Sequence, residues 1–156
     1  MKYPIQLIGI GSPADHDQLG WQLLENLQHS SQLQRELNEG YLLATVSDRP
    51  GLRLLNSMQG AELVFLFDAV MNSESSELVV RCEDIAIYSQ PGLLSTHGFG
   101  IAETIQLGQA LNKLPNKIIF YGIKIDEDQS VEKQALQQAQ QRVIKELQYY
   151  LPQPQR

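Results

Sequence analysis

The chain has 156 residues, 42% of them hydrophobic. That is enough apolar material for one substantial core, and it predicts a single domain over residues 1–151 with a short tail at 152–156. The formal net charge of −6, with no cluster of Lys and Arg, excludes a protein that holds nucleic acid by neutralising its phosphates.

The lone cysteine, Cys82, rules out an intrachain disulfide, a CxxC motif and a Cys/His zinc pattern, and it is compatible with a reducing compartment. In "MKYPIQLIGIGSP" the apolar run is too short to span a membrane and no small-residue cleavage site follows it. The expected location is therefore the cytoplasm, away from membranes.

"YPIQLIGIG" reads as a buried first strand, with Gly9 and Gly11 expected to turn the chain sharply off it. From Gly20 onward Trp21, Leu23, Leu24, Leu27, Leu33 and Leu37 recur at near-helical spacing, with a break at "HSSQ". Gly40 is expected to stop this helical stretch, and "YLLATV" reads as the second strand. Ser47 or Asp48 is expected to cap the next helix, with Pro50 near its first position.

Leu63 to Phe67 of "AELVFLFDAV" is continuously apolar, which predicts a strand covered on both faces and terminating at Asp68. "SELVVRCEDIAIYSQPG" suggests one or two shorter, more polar strands at a sheet edge, ended by Pro91 and Gly92. A helix from near Gly100 should bury Ile101, Ala102, Ile105, Leu107, Leu111 and Leu114, and "NKIIFYGIKID" follows as a strand. The last helix should bury Val131, Ala135, Leu136, Ala139, Val143, Ile144, Leu147, Tyr150 and Leu151 and expose the Gln-rich run "QALQQAQQ". Strands alternating with helices predict an α/β three-layer sandwich: a mostly parallel central sheet of about five strands with helices on both faces.

In such sheets ligands bind beyond the carboxyl ends of the strands. Asp15, His16 and Asp17 fall in the loop leaving the first strand, Asp68 at the end of the central one, and His97 in "LLSTHGFG" before a helix. Gly9-Ile10-Gly11 followed by Ala14 is an incomplete dinucleotide fingerprint. The loop carboxylates would repel phosphates and no Walker lysine is present, so a Rossmann-like nucleotide-binding module is the weakest reading. Cys82 lies in a strand with no histidine near it in sequence, and Ser12, Ser95 and Thr96 fit turn positions better than nucleophiles. Asp17, Asp68 and His97 together offer two carboxylates and an imidazole, a set suited to Ni, Zn, Fe or Mn with positions left open. Each also has an ordinary role: Asp17 as a helix cap, Asp68 as a strand-end turn residue, and His97 bonded to a backbone carbonyl. Residue types alone leave the two accounts balanced.

Three segments resemble the hydrogenase maturation endopeptidases, which process the large subunit of nickel–iron hydrogenases. Gly9-Ile10-Gly11-Ser12 through Asp17-Gln18-Leu19-Gly20 looks like the family's first loop, "VFLFDAV" like its central strand ending in Asp-Ala, and "STHGFGIAETIQLGQALNKLPNKIIFYGIKID" like its Ser-x-His turn, helix and Gly-Ile strand. The resemblance implies a peptidase that recognises nickel already inserted in a hydrogenase large-subunit precursor and removes the precursor's C-terminal extension. It implies Asp17, Asp68 and His97 as metal ligands, with Asp17 and Asp68 also catalytic. Nickel would arrive with the substrate, and Cd or Zn would serve as surrogates.

This sequence departs from the family in places. Ser12 stands where the family carries Asn, His16 stands where it carries its first acid, and the loop is one residue shorter, which makes Asp15 and His16 alternative ligands. Only Thr45 loosely matches the family's Asp-x-Gly-Thr turn after the second strand. A metal-sensing or chaperone-like binding protein of the same fold, without proteolysis, is the alternative. Trp21, Tyr88 and Phe99 are candidates for a partner-binding rim, Trp21 also fitting a core position.

Overall fold

The computed structural model describes residues 4–12, 18–48, 51–71, 76–84, 94–95 and 100–153. In chain order its elements are β1 (Ile5–Ile10), α1 (Leu19–Gln28), α2 (Gln34–Asn38), β2 (Leu42–Ser47), α3 (Leu52–Ser57), β3 (Leu63–Met71), β4 (Val79–Glu83), β5 (Leu94–Ser95), α4 (Ile101–Ala110), β6 (Lys117–Lys124) and α5 (Gln129–Tyr150). The five main strands lie in the order β2-β1-β3-β6-β4, with the two-residue β5 paired to β3. β2, β1, β3 and β6 are parallel, while β4 is an antiparallel edge and β5 is antiparallel to the end of β3. The expected mostly parallel sheet is present, and its antiparallel edge falls in the segment the sequence marks as more polar.

Two cores flank the sheet. Alternation along β3 sends Phe65 and Phe67 to one face, with α1 and α5, and Val64 and Leu66 to the other, with α3 and α4. Residues 63–70 of β3 are all buried, as a strand covered on both faces requires. α5 buries Ala135, Leu136, Ala139, Val143, Ile144 and Leu147, a stripe that recurs at helical spacing, and the Asp128 carboxylate caps its first turn by accepting the Ser130 N–H at 2.9 Å. Leu151 closes the core behind it, and Pro152 and Gln153 are exposed. The helical stretch after Gly20 breaks between residues 28 and 34 as expected, and Gly40 takes a φ of +80° beyond α2, a conformation that favours glycine.

Four local expectations are corrected. β3 does not stop at Asp68 but runs to Met71, because β6 continues to pair with it as far as Val70 and β5 joins at Val70 and Met71. Gly9 does not turn the chain: it lies inside β1, paired with Val46 and Phe67. A Cβ there would sit 2.7 Å from the Gly20 carbonyl oxygen and 3.0 Å from the Leu24 Cβ, so its service is to let α1 lie against the strand. Neither Ser47 nor Asp48 caps α3. Ser47 is the last residue of β2, and α3 starts behind Gly51, whose φ of 110° no other residue adopts readily; Pro50 is outside the described residues. On α4, Leu107 and Leu111 are exposed, and the buried line runs through Ile101, Thr104, Ile105 and Gly108. Gly108 takes the inward position because the Leu55 and Leu114 side chains occupy the space a Cβ would need.

An ionic network pins the antiparallel edge. Arg81 on β4 donates to Glu146 of α5 through Nε at 2.9 Å and Nη2 at 2.5 Å, and to Glu83 at 2.6 Å. The Tyr121 hydroxyl donates to the same Glu146 carboxylate. Burial works to raise the Glu146 carboxyl, but the bonds from Arg81 and Tyr121 outweigh it and hold the group below its ordinary value; the Arg81 bond does the same to Glu83.

Two expectations follow from these contacts. A Cβ at position 20 would fall well inside the van der Waals radii of the Ile10 and Phe67 carbonyl oxygens. Gly20→Ala should therefore lose more than about 2 kcal/mol in chemical denaturation, since backbone cannot move aside as a side chain can. Because Glu146 and Glu83 titrate below their unfolded values, their contribution is complete above about pH 4.5 and is lost as pH falls through the folded values. Glu146→Gln should cost about 1.5–3 kcal/mol at pH 7 and flatten the acid limb of the melting temperature against pH. A wild-type acid limb in that variant would show that the network carries no pH dependence.

Candidate functional site

β1 and β3 are parallel neighbours, and between them the chain changes direction across the sheet: β2 lies to one side of β1 and every later strand to the other. This is a topological switch point, and its crevice opens beyond the carboxyl ends of the two strands. The β1–β3 pairing ends at Gly9 and Phe67. β6 occupies the other side of β3 as far as Val70, so β5, which meets β3 at Val70 and Met71, must lie on the β1 side. Asp68 and Ala69 fall in the gap between those two partners.

Asp68 is fully buried, and among the described residues it is the only buried Asp, Glu, Lys, Arg or His. In a gap with no strand opposite, the Ala69 N–H would lack an acceptor; the Asp68 Oδ1 accepts it at 2.8 Å. Strand alternation places Asp68 on the face of Leu66 and Val70, the side of α3 and α4. A carboxylate so buried has to be compensated by donors or by a cation. The crevice floor is rigid: Gly20 in the first turn of α1 rests on the Ile10 and Phe67 carbonyls, fixing the start of that helix next to the residue preceding Asp68.

Among the described residues the other buried polar ones are Ser47, at the carboxyl end of β2, and Thr104, in the first turn of α4. The Ser47 carbonyl accepts the Gly11 N–H at 3.0 Å and the Trp21 Nε1–H at 3.0 Å. The Thr104 hydroxyl accepts the Gly51 N–H at 2.6 Å and donates to the Gly100 carbonyl at 3.2 Å. Glu103 Oε2 accepts the Gly100 N–H at 2.7 Å, completing the start of α4. Sequence reasoning missed Thr104 and Glu103 because a threonine and a glutamate in a first helical turn look like ordinary helix residues. The one available signal was the spacing of Glu103 from Gly100, which fits the glutamate half of a capping box.

Of the residues singled out from the sequence, Asp68 is placed at the switch point. Asp15, His16, Asp17, Tyr88, Thr96, His97 and Phe99 lie outside the described residues, as does any contact among them. Among the described residues no three His, Cys, Asp or Glu side chains assemble into a metal-holding group. Trp21 is half-buried at the crevice edge, with its indole N–H on Ser47. Cys82 is buried in β4, and burial pushes its thiol up to about 11. It is therefore protonated at neutral pH and is no nucleophile. The space beside Gly9 is filled by α1, which leaves no backbone approach there for a phosphate. Among the described residues no helix is long and apolar enough to cross a membrane.

No protein-family model and no curated protein matches the chain, but solved structures do. The hydrogenase maturating endopeptidase HybD from E. coli superposes over 94% of this chain and 93% of its own, with a TM-score of 0.67 at 16% identity. The [NiFe] hydrogenase maturation protease HybD from Thermococcus kodakarensis covers 88% of this chain and 97% of its own, with a TM-score of 0.59 at 19% identity. HycI, a [NiFe] hydrogenase maturation protease from Thermococcus kodakarensis KOD1, covers 92% of both chains with a TM-score of 0.62 at 16% identity. Across nearly its whole length, the chain has the fold of these hydrogenase maturation proteases.

Proposed function

We propose that the chain is a cytoplasmic endopeptidase that recognises nickel already seated in a hydrogenase large-subunit precursor and removes that precursor's C-terminal extension. The observation that carries the reading is Asp68: a fully buried carboxylate at the switch point of a sheet whose fold is shared with solved maturation proteases. A carboxyl group held at this point by the Ala69 N–H is placed to meet a metal centre presented by a partner protein. Asp17 and His97 complete the ligand set, with Asp15 and His16 as rivals of Asp17 for its position.

The metal arrives as part of the substrate and supplies the Lewis acidity that polarises the scissile carbonyl or a water. Asp68 holds the precursor's centre at a fixed point on the sheet, and whichever of Asp17 and Asp68 is the freer takes the proton from the attacking water. A second reading, a binding protein that senses the loaded precursor without cutting it, draws on the sequence after β2. That segment reads Ser47-Asp48-Arg49-Pro50-Gly51 in place of an Asp-x-Gly-Thr turn.

Mass spectrometry of the cognate precursor separates the two. The peptidase shortens the nickel-loaded form and leaves the nickel-free form intact; an unchanged mass for the loaded form, with complex formation retained, gives the molecule to the second reading. Calorimetric titration with Ni, Cd or Zn tests the ligand set. Asp17→Asn, Asp68→Asn and His97→Ala should each weaken binding at least about tenfold, or about 1.4 kcal/mol, while Asp15→Asn and His16→Ala should not. Equal affinity in wild type and all three ligand variants would sink the assignment.

A further inference from the structure

Both ends of the connection from β2 to α3 are fastened, and to different parts of the molecule. At its start, the Ser47 carbonyl holds the Gly11 N–H, at the exit of β1, and the Trp21 indole on α1. At its end, the Gly51 N–H is held at 2.6 Å by the hydroxyl of Thr104, which also grips the Gly100 carbonyl at the start of α4. The Thr104 side chain thus spends both its donor and its acceptor in a fully buried position. Gly51, with a φ of 110°, can present its N–H in this direction where an L-residue would be strained.

We propose that these two clasps set the spacing between the point where the chain leaves β1 and the point where it enters α4, with Thr104 and Trp21 as positioning residues. The inference rests on the proposed function for its meaning. Asp17 lies between Gly11 and Trp21 in sequence and His97 three residues before Gly100, so the clasps tie the two chain segments that must jointly meet a metal to a common connection. Packing alone does not account for the arrangement. A threonine turned into an apolar core needs its hydroxyl satisfied; the i−4 carbonyl of its own helix does part of this, and the Gly51 N–H of a separate connection is added to it.

The test compares Thr104→Val, which keeps the volume and removes the hydroxyl, with Thr104→Ser, which keeps the hydroxyl. Amide hydrogen exchange read by NMR on the whole chain should show Gly51 and Gly100 exchanging at least about tenfold faster in Thr104→Val, with Phe65 to Phe67 of β3 unchanged and Thr104→Ser close to wild type. Wild-type exchange at Gly51 and Gly100 in Thr104→Val overturns the proposal, and so does faster exchange spread evenly through β3, which would make Thr104 a general stability residue. In calorimetry with Cd, Thr104→Val and Trp21→Phe should each bind about tenfold more weakly and Thr104→Ser as wild type does; undiminished affinity in Thr104→Val also overturns it. A wild-type chain that binds no Cd instead sinks the metal reading, and the exchange comparison still decides the clasps.

Discussion

β3 exchanges one neighbour for another within its own length. On one side β6 accompanies it from Leu63 to Val70, but on the other β1 leaves after Phe67 and β5 arrives only at Val70. Two residues are left without a strand opposite them in the middle of a buried sheet. Backbone groups in such a place must still find partners, and a short side chain that reaches its neighbour's N–H is the local solution; Asp68 provides it. The consequence is a carboxyl group fixed in a strand buried from residue 63 to residue 70, at the mouth of the switch-point crevice. Just before the gap, α1 rests on the Ile10 and Phe67 carbonyls, which leaves no room for a side chain at position 20.

The polar chemistry of the molecule is divided between the two ends of its sheet. At the carboxyl edge of β1, β2 and β3 lie Ser47, Asp68 and Thr104, buried and bonded largely to backbone. Along the antiparallel edge, Arg81, Glu83, Glu146 and Tyr121 form a partly exposed network that joins β4 to α5. The second group is stabilising by charge complementarity and weakens in acid. The first is held by geometry, through glycines and hydrogen bonds of fixed direction. Acidification should therefore loosen the β4 edge before it disturbs the crevice, because the two groups share no residue and only the first is held mainly by bonds to backbone.

Most of the fold was legible in the sequence because burial writes itself as periodicity. The apolar run of β3 and the stripe of α5 left few alternatives, and Asp68 stood out as a charge at the end of an apolar run. What periodicity could not carry was the pairing of strands. That β3 continues past Asp68 depends on β5 and β6, which are distant in sequence, so a residue read as strand-terminal is interior. Gly9 and Gly108 were opaque for a related reason: a glycine chosen to admit a neighbour's atoms looks the same as one chosen for a turn. Leu107 and Leu111 fit a helical period, yet the contact line follows the glycine beside them. Thr104 gave no sign at all, since its partner Gly51 is 53 residues away.

At 16–19% identity to the maturation proteases it superposes on, the chain has a gap beside β3 and a carboxyl side chain within it. These two facts are not independent. Any sequence that folds into this strand order with a short partner beyond β1 faces an unsatisfied N–H at the position of Ala69, and Asp or Asn meets that need without a metal. The backbone requirement alone would accept the neutral Asn, which is cheaper to bury. A carboxyl group adds an acidic oxygen at a fully buried position where an amide would complete the same hydrogen bond, and the proposed function gives that acidity a role. Under the proposed function that role is to receive a cation delivered by the precursor, with one ligand fixed in the sheet and the others brought to it by connections clasped at Ser47 and Thr104.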